Sequence, residues 1–141
     1  MSGFLIDTNV LSEYNRGGPD AGVKTWIETT PRVLQYVSVI TLAEIEKGVG
    51  LLEQGKRRTQ LEEWLATNLE EWFGGRVLSV DRNVGSCWAR LMVAGTQRGN
   101  PLPVIDSLIA ATALAHDLTI VTRNIKDFAS TGVRTINPWK T

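Results

Sequence analysis

Gly3-Phe4-Leu5-Ile6-Asp7-Thr8-Asn9-Val10-Leu11-Ser12 is the stretch whose reading decides the fold. Phe4 to Ile6 is a short apolar run of the kind buried on both faces of a parallel sheet, and Asp7-Thr8-Asn9 breaks it with residues that favour turns and helix caps. Asp7 therefore stands at the carboxyl end of a strand, the edge of an open parallel α/β sheet where ligand sites form. The competing reading is that Asp7 or Asn9 simply caps a helix beginning near Val10.

The rest of the chain repeats this alternation. Val10 to Tyr14 reads as a short helix closed by the breaker-rich loop Asn15-Arg16-Gly17-Gly18-Pro19, and Asp20 as the N-cap of a helix over Ala21 to Glu28. The β-branched and aromatic stretch Val33 to Ile40 predicts a second strand. Thr41-Leu42-Ala43-Glu44 has the spacing of a capping box opening the next helix, with Leu42, Ile45, Val49 and Leu52 as its apolar stripe. A second long helix over Arg57 to Trp72 follows after a short connection, so the two are expected to form an antiparallel arm. Arg76 to Val80 predicts a strand, and helices begin near Arg82 and over Val104 to His116, the latter apolar nearly all round and so interior. Leu118 to Val121 and Val133 to Ile136 are the last strands. This order implies a three-layer α/β/α sandwich with a central, mainly parallel sheet and a protruding helical pair.

Length and composition fit one domain spanning residues 1–141, with 43% apolar and 21% charged residues. No apolar run reaches membrane-spanning length and no secretion signal is recognisable, so a cytoplasmic protein without membrane contact is expected. Cys87 is the single cysteine, which excludes an internal disulfide framework and a multi-cysteine metal site. With 15 Lys and Arg against 15 Asp and Glu there is no global field for nucleic acid, so any such binding must be local. Arg16, Arg98, Arg123 and Lys126 flank the loops in question and are the candidates for a local basic rim.

Asp7 follows the first strand, Glu44 the second, Asp106 lies in the first turn of the interior helix, and Asn124 follows the penultimate strand with Asp127 one turn beyond. Each has an ordinary explanation at a helix N-terminus, where the helix dipole favours an acid. Together, the parallel sheet sends them to one edge, and converging carboxylates repel one another unless a cation sits among them. Oxygen-only donors select a hard ion such as Mg²⁺ or Mn²⁺, which can polarise a phosphodiester and raise the acidity of water. His116, the one histidine, lies at the far end of a helix from Asp106 and reads as a helix C-terminal residue, which makes a Ser/His/Asp triad the weaker reading. No phosphate-binding Gly-x-x-x-x-Gly-Lys-Ser/Thr loop occurs.

Leu5-Ile6-Asp7-Thr8-Asn9-Val10-Leu11-Ser12, Ser38-Val39-Ile40-Thr41-Leu42-Ala43-Glu44-Ile45 with Gly48 following, Pro103-Val104-Ile105-Asp106-Ser107-Leu108-Ile109-Ala110-Ala111 and Val121-Thr122-Arg123-Asn124-Ile125-Lys126-Asp127-Phe128 resemble, in this order, the PIN-domain ribonucleases of the VapC and FitB-like toxins. The resemblance implies a metal-dependent endoribonuclease with Mg²⁺ or Mn²⁺ held by Asp7, Glu44 and Asp106, and with Thr8 and Thr122 supplying nearby hydroxyls. The family's fourth position is often acidic; here Asn124 matches it and Asp127 stands close by, so either can complete the site. The family further implies homodimers, with the face near Trp88 to Met92 a candidate for pairing, and a higher assembly with a DNA-binding antitoxin of the VapB or FitA kind. The antitoxin's C-terminal segment would lie on the arm near Leu51, Leu61, Leu65 and Trp72. Two other classes compete: a PIN-like binding module that has lost catalysis, against which Asp7, Glu44 and Asp106 argue and which Asn124 keeps open, and an aspartate-based phosphatase. Against the phosphatase, the second aspartate of the haloacid-dehalogenase pattern is absent after Asp7.

Overall fold

The computed structural model describes residues 2–140, so Met1 and Thr141 lie outside it. Five strands form one parallel sheet in the order β3-β2-β1-β4-β5: β1 is Phe4–Ile6, β2 Gln35–Ser38, β3 Val77–Leu78, β4 Thr119–Val121 and β5 Thr135–Ile136. β1 lies in the middle, with Leu5 opposite Tyr36 on one side and Ile120 on the other. Alternation along these short strands serves two cores. Ile6, Val37 and Val121 pack with Val10, Leu11, Val23 and Ile27 of helices α1 (Thr8–Asn15) and α2 (Ala21–Thr29), together with Trp72 and Phe73. Leu5 and Ile120 face Ile109, Ala110 and Ala113 of α7 (Val104–Ala115), which is itself packed against α6 (Arg82–Gln97). The expected sandwich is therefore the observed one.

One local expectation is overturned and another is refined. The second strand stops at Ser38, and α3 (Val39–Gly50) begins at once because Ser38 Oγ accepts from the Ile40 N–H at 3.0 Å. Thr41 is consequently inside the helix rather than at its cap, and its buried hydroxyl has no hydrogen-bond partner among the described residues. An apolar run cannot show where a strand hands over to a helix, since Val39 and Ile40 suit both. The predicted helix over Arg57 to Trp72 is α4 (Lys56–Glu63), a π-helical segment Trp64–Leu69 and α5 (Glu70–Phe73) in succession. α4 has no fully buried side chain, although Leu61 packs partly buried against the core, whereas the far end of this rod buries Leu69, Trp72 and Phe73.

That far end is fastened by a fully buried strand glutamine. Gln35 Nε2 donates to Ile27 O at 3.1 Å and Thr30 O at 2.9 Å, while its Oε1 accepts from Trp72 Nε1 at 2.9 Å. Arg76 adds bonds to Gln35 O and Trp72 O, and the Arg32 guanidinium lies 4.3 Å from the Trp72 ring centroid. Replacing Gln35 by Leu strands one indole N–H and two carbonyls away from water, at about 1 kcal/mol or more for each. We expect Gln35→Leu to lose about 3 kcal/mol, read as a lower urea midpoint at unchanged slope; a midpoint equal to that of the parent contradicts this network's role.

Candidate active site

β1 ends where Asp7 turns the chain into α1. The Asp7 backbone N–H still donates to Val121 O of β4 at 3.0 Å, and its side chain caps the helix by accepting from the Thr8 N–H at 2.9 Å. Capping and site placement are thus combined in one residue. Its other carboxylate oxygen accepts from Thr122 Oγ1 at 2.9 Å and from Asn9 Nδ2 at 3.4 Å. Thr122, fully buried just after β4, also accepts from Asn9 Nδ2 at 3.3 Å and from the Asn124 N–H at 3.0 Å, and Asn9 Oδ1 accepts from the Arg123 N–H at 3.1 Å. The turns after β1 and β4 are therefore tied together around the Asp7 carboxylate.

Two further acids arrive from other elements. Glu44, in the second turn of α3, accepts from Thr8 Oγ1 at 3.1 Å. Asp106, half-buried in the first turn of α7, makes no side-chain hydrogen bond among the described residues. Burial raises the Asp7 pKa above its ordinary value; bonds from Thr122 and Thr8 oppose this, and the charge of Asp127 adds to it. Asp106 is raised first by burial and then by the charges of Asp127, Asp7 and Glu44. The four acids thus share one field, and the strongest neighbouring charge on Asp106 is that of Asp127. Asn124 is exposed and precedes the 3₁₀ turns over Ile125–Thr131 that carry Asp127; the Asp127 N–H donates to Asn124 O at 3.0 Å.

Asn9 is the member of this constellation that the candidate residues omitted, although it stands in the Asp-Thr-Asn turn itself. Its amide does its bridging to a strand more than a hundred residues away, which local pattern cannot show. The expected basic rim is largely engaged: Arg16 pairs with Glu13 at 2.7 Å, Arg98 donates to Ser130 O at 3.3 Å, and Arg123 lies 5.2 Å from the Trp139 ring centroid. Lys126 is exposed and forms no ion pair among the described residues. The arm residues expected to share one groove do not. Leu65 lines a cleft between α3 and the rod, Leu61 a recess towards Glu44, Leu51 a recess on the other side of α3, and Trp72 a polar hollow with Tyr14 and Arg32. On α6, Trp88 turns inward and donates to Ser107 Oγ at 3.0 Å, and Leu91 packs against the core.

The donor set is all oxygen, from carboxylates that repel one another without a neighbouring ion pair, which is the chemistry of a hard divalent cation. Among the described residues, no three His, Cys, Asp or Glu side chains are close enough as placed to enclose an ion. An ion held by Asp7, Glu44 and Asp106 would need these side chains closer together than they stand.

A central parallel sheet with acids gathered beyond the carboxyl ends of its middle strands defines a class of α/β proteins whose chemistry is carried by carboxylates. Residues 4–133 match the PIN domain family, and the chain belongs to it. It is similar to plasmid stability protein StbB of Pseudomonas syringae pv. tomato, 39% identical over 97% of this chain and 99% of that protein. It is also similar to toxin FitB of Neisseria gonorrhoeae, 37% identical over 96% and 98% of the two chains. VapC ribonuclease Y4jK of Sinorhizobium fredii is 36% identical over 97% and 98%. A solved structure of FitAB bound to an IR36 DNA fragment superimposes with a TM-score of 0.90 at 35% identity, covering 96% of this chain and 95% of that one.

The field among the acids has a thermodynamic consequence. Asp7 and Asp106 have folded-state pKa values above the ordinary 3.8, so their ionisation favours the unfolded chain. That penalty is complete above the folded-state pKa, declines as pH falls through it, and is gone below the unfolded value. Asp106→Asn should therefore raise the melting temperature of chelator-treated protein by a few degrees at about pH 7, and the gain should shrink towards about pH 4. Thermal melts across that range test this; a gain that does not depend on pH, or a loss, contradicts the mutual repulsion.

Proposed function

We propose that this chain is a Mg²⁺- or Mn²⁺-dependent endoribonuclease, the toxin of a type II toxin-antitoxin pair, acting as a single domain over residues 1–141. The observation that carries this reading is the convergence of Asp7, Glu44 and Asp106 from three separate elements on one mutually repelling site. Its relatives' names, a toxin and a ribonuclease, point the same way. Asp7, Glu44 and Asp106 would hold the ion; bound there, it supplies polarisation of the phosphodiester and acidification of water. Thr122, Asn9 and the Thr8 N–H fix the Asp7 carboxylate, and the Thr8 hydroxyl orients Glu44. Asp127 is the acid that completes the field, and Asn124 positions its turn.

His116 closes α7 at the opposite end from Asp106, so no imidazole is available to deprotonate a ribose 2′-hydroxyl. External water is then the attacking group, and the fragments should carry 5′-phosphate and 3′-hydroxyl ends. The antitoxin's C-terminal segment is assigned to the cleft of about 570 Å³ between α3 and the rod, whose floor is Leu42, Val49, Leu65 and Leu69 and whose rim carries Glu46, Glu62 and Glu70. FitAB bound to DNA is the precedent for such an assembly among similar structures. With Trp88 turned inward, dimerisation falls to the outer face of α6, where Val93 is 55% exposed. No helix among the described residues is long and apolar enough to cross a membrane, consistent with a cytoplasmic enzyme.

The test is cleavage of structured RNA by purified protein with Mn²⁺ and with excess chelator. Asp7→Asn, Glu44→Gln and Asp106→Asn are each expected to lower kcat/KM by at least about 100-fold while the protein stays folded. Cyclic-phosphate ends, cleavage that persists in chelator, or full activity of Asp106→Asn would each refute the reading.

A further inference from the structure

Two recesses flank Glu44 and Gly48. One, of about 270 Å³, runs between α1, α3 and the rod; Thr8, Ser12 and Asn15 form one wall, and Arg57 and Trp64 stand on the other. The second, of about 400 Å³, lies between α3 and the start of α7, with Ile40, Leu51 and Ile105 as its apolar lining and Lys47 at its side. Glu44 and Gly48 line both. A Cβ built on Gly48 meets nothing within 4 Å, so no close packing demands glycine there. Gly48 nevertheless sits inside α3, where glycine is the poorest helix former after proline. A side chain at this position would project into the open space that borders both recesses beside the acid.

The cations at the two recesses are, like Lys126, unengaged among the described residues. Lys47 and Arg57 are exposed, and among the described residues neither side chain forms an ion pair or hydrogen bond. This contrasts with Arg16, Arg98 and Arg123, whose side chains are already engaged. We propose that Gly48 keeps open a passage past Glu44 for a single RNA strand, and that Arg57 and Lys47 hold the phosphates on either side of the scissile one. This rests on the ribonuclease reading and deepens it. Charge complementarity selects the occupant: the two unpaired charges are positive and lie one on each side of the acid, the arrangement an anionic strand needs to span a carboxylate site. The cleft assigned to the antitoxin has instead three glutamates against one arginine, Arg58, whose guanidinium already lies 3.6 Å from Glu62. Lys47 and Arg57 are positioning residues, and Gly48 contributes by lacking a side chain.

The experiment uses the full chain and a short single-stranded oligoribonucleotide of randomised sequence. Binding is measured in chelator across a salt series, and cleavage separately with Mn²⁺. Lys47→Gln and Arg57→Gln should each weaken binding by about threefold and reduce the slope of log affinity against log salt by about 0.7. In cleavage each should raise KM with kcat nearly unchanged, whereas Lys56→Gln, next in sequence but lining neither recess, should change nothing. Gly48→Ala should raise the melting temperature yet raise KM, with Gly48→Leu worse in KM. Unchanged RNA binding in both charge variants, or a stabilised Gly48→Ala protein with parental KM, overturns the passage and leaves the recesses to a peptide. Failure of the underlying ribonuclease reading is recognised separately, because the parent protein would then not cleave the RNA with Mn²⁺.

Discussion

The bond from Thr122 to Asp7 joins the two halves of the molecule at the point where the sheet changes direction. The chain builds outward from β1 through β2 to β3, then returns to the other side of β1 for β4 and β5. β1 and β4 therefore diverge in their connections, and a crevice opens beyond their carboxyl ends. Asp7 leaves β1 and Thr122 leaves β4 at that crevice, 2.9 Å apart and with Asn9 spanning both turns. Glu44 and Asp106 reach the same edge because α3 follows directly from β2 and α7 begins beside it, so the parallel sheet delivers their N-terminal turns to a common level.

This arrangement sets the site against the stability of the fold. Burial and like charge both work against ionised Asp7 and Asp106, and only the donors on Asp7 offset the effect. Asp106 has no such donor among the described residues. The cost is borne by the cores on either side of the sheet, and in particular by the anchoring of the rod through Gln35 and Trp72. Firm attachment at that end leaves α4, which has no fully buried side chain but rests Leu61 against the core, to frame the clefts beside α3.

Local segregation of charge also explains how a chain of zero formal charge can suit an anionic substrate. Acids are concentrated at the sheet edge and on the rim of the cleft between α3 and the rod. Lys47 and Arg57, unpaired, face outward from the recesses flanking Glu44. What decides local binding is this placement, since charges separated by more than a Debye length are largely screened from one another.

The alternation of short apolar runs with amphipathic helices was enough to determine the layers, the parallel sheet and the common edge on which Asp7, Glu44, Asp106 and Asp127 stand, because strand period and right-handed crossovers leave few alternatives. Helix capping by Asp7 and Asp20 was legible for the same local reason. The start of α3 was not: Thr41 and Glu44 have capping-box spacing, but Ser38 reaches the free N–H groups first and Thr41 is carried inside the helix. Nor could sequence show that Asn9 bridges to Thr122, that Gln35 is a buried clasp rather than a surface residue, or that Gly48 borders open space. Each of these depends on atoms brought together from distant parts of the chain, and only the packed tertiary structure decides which polar groups meet and which are left facing a cleft.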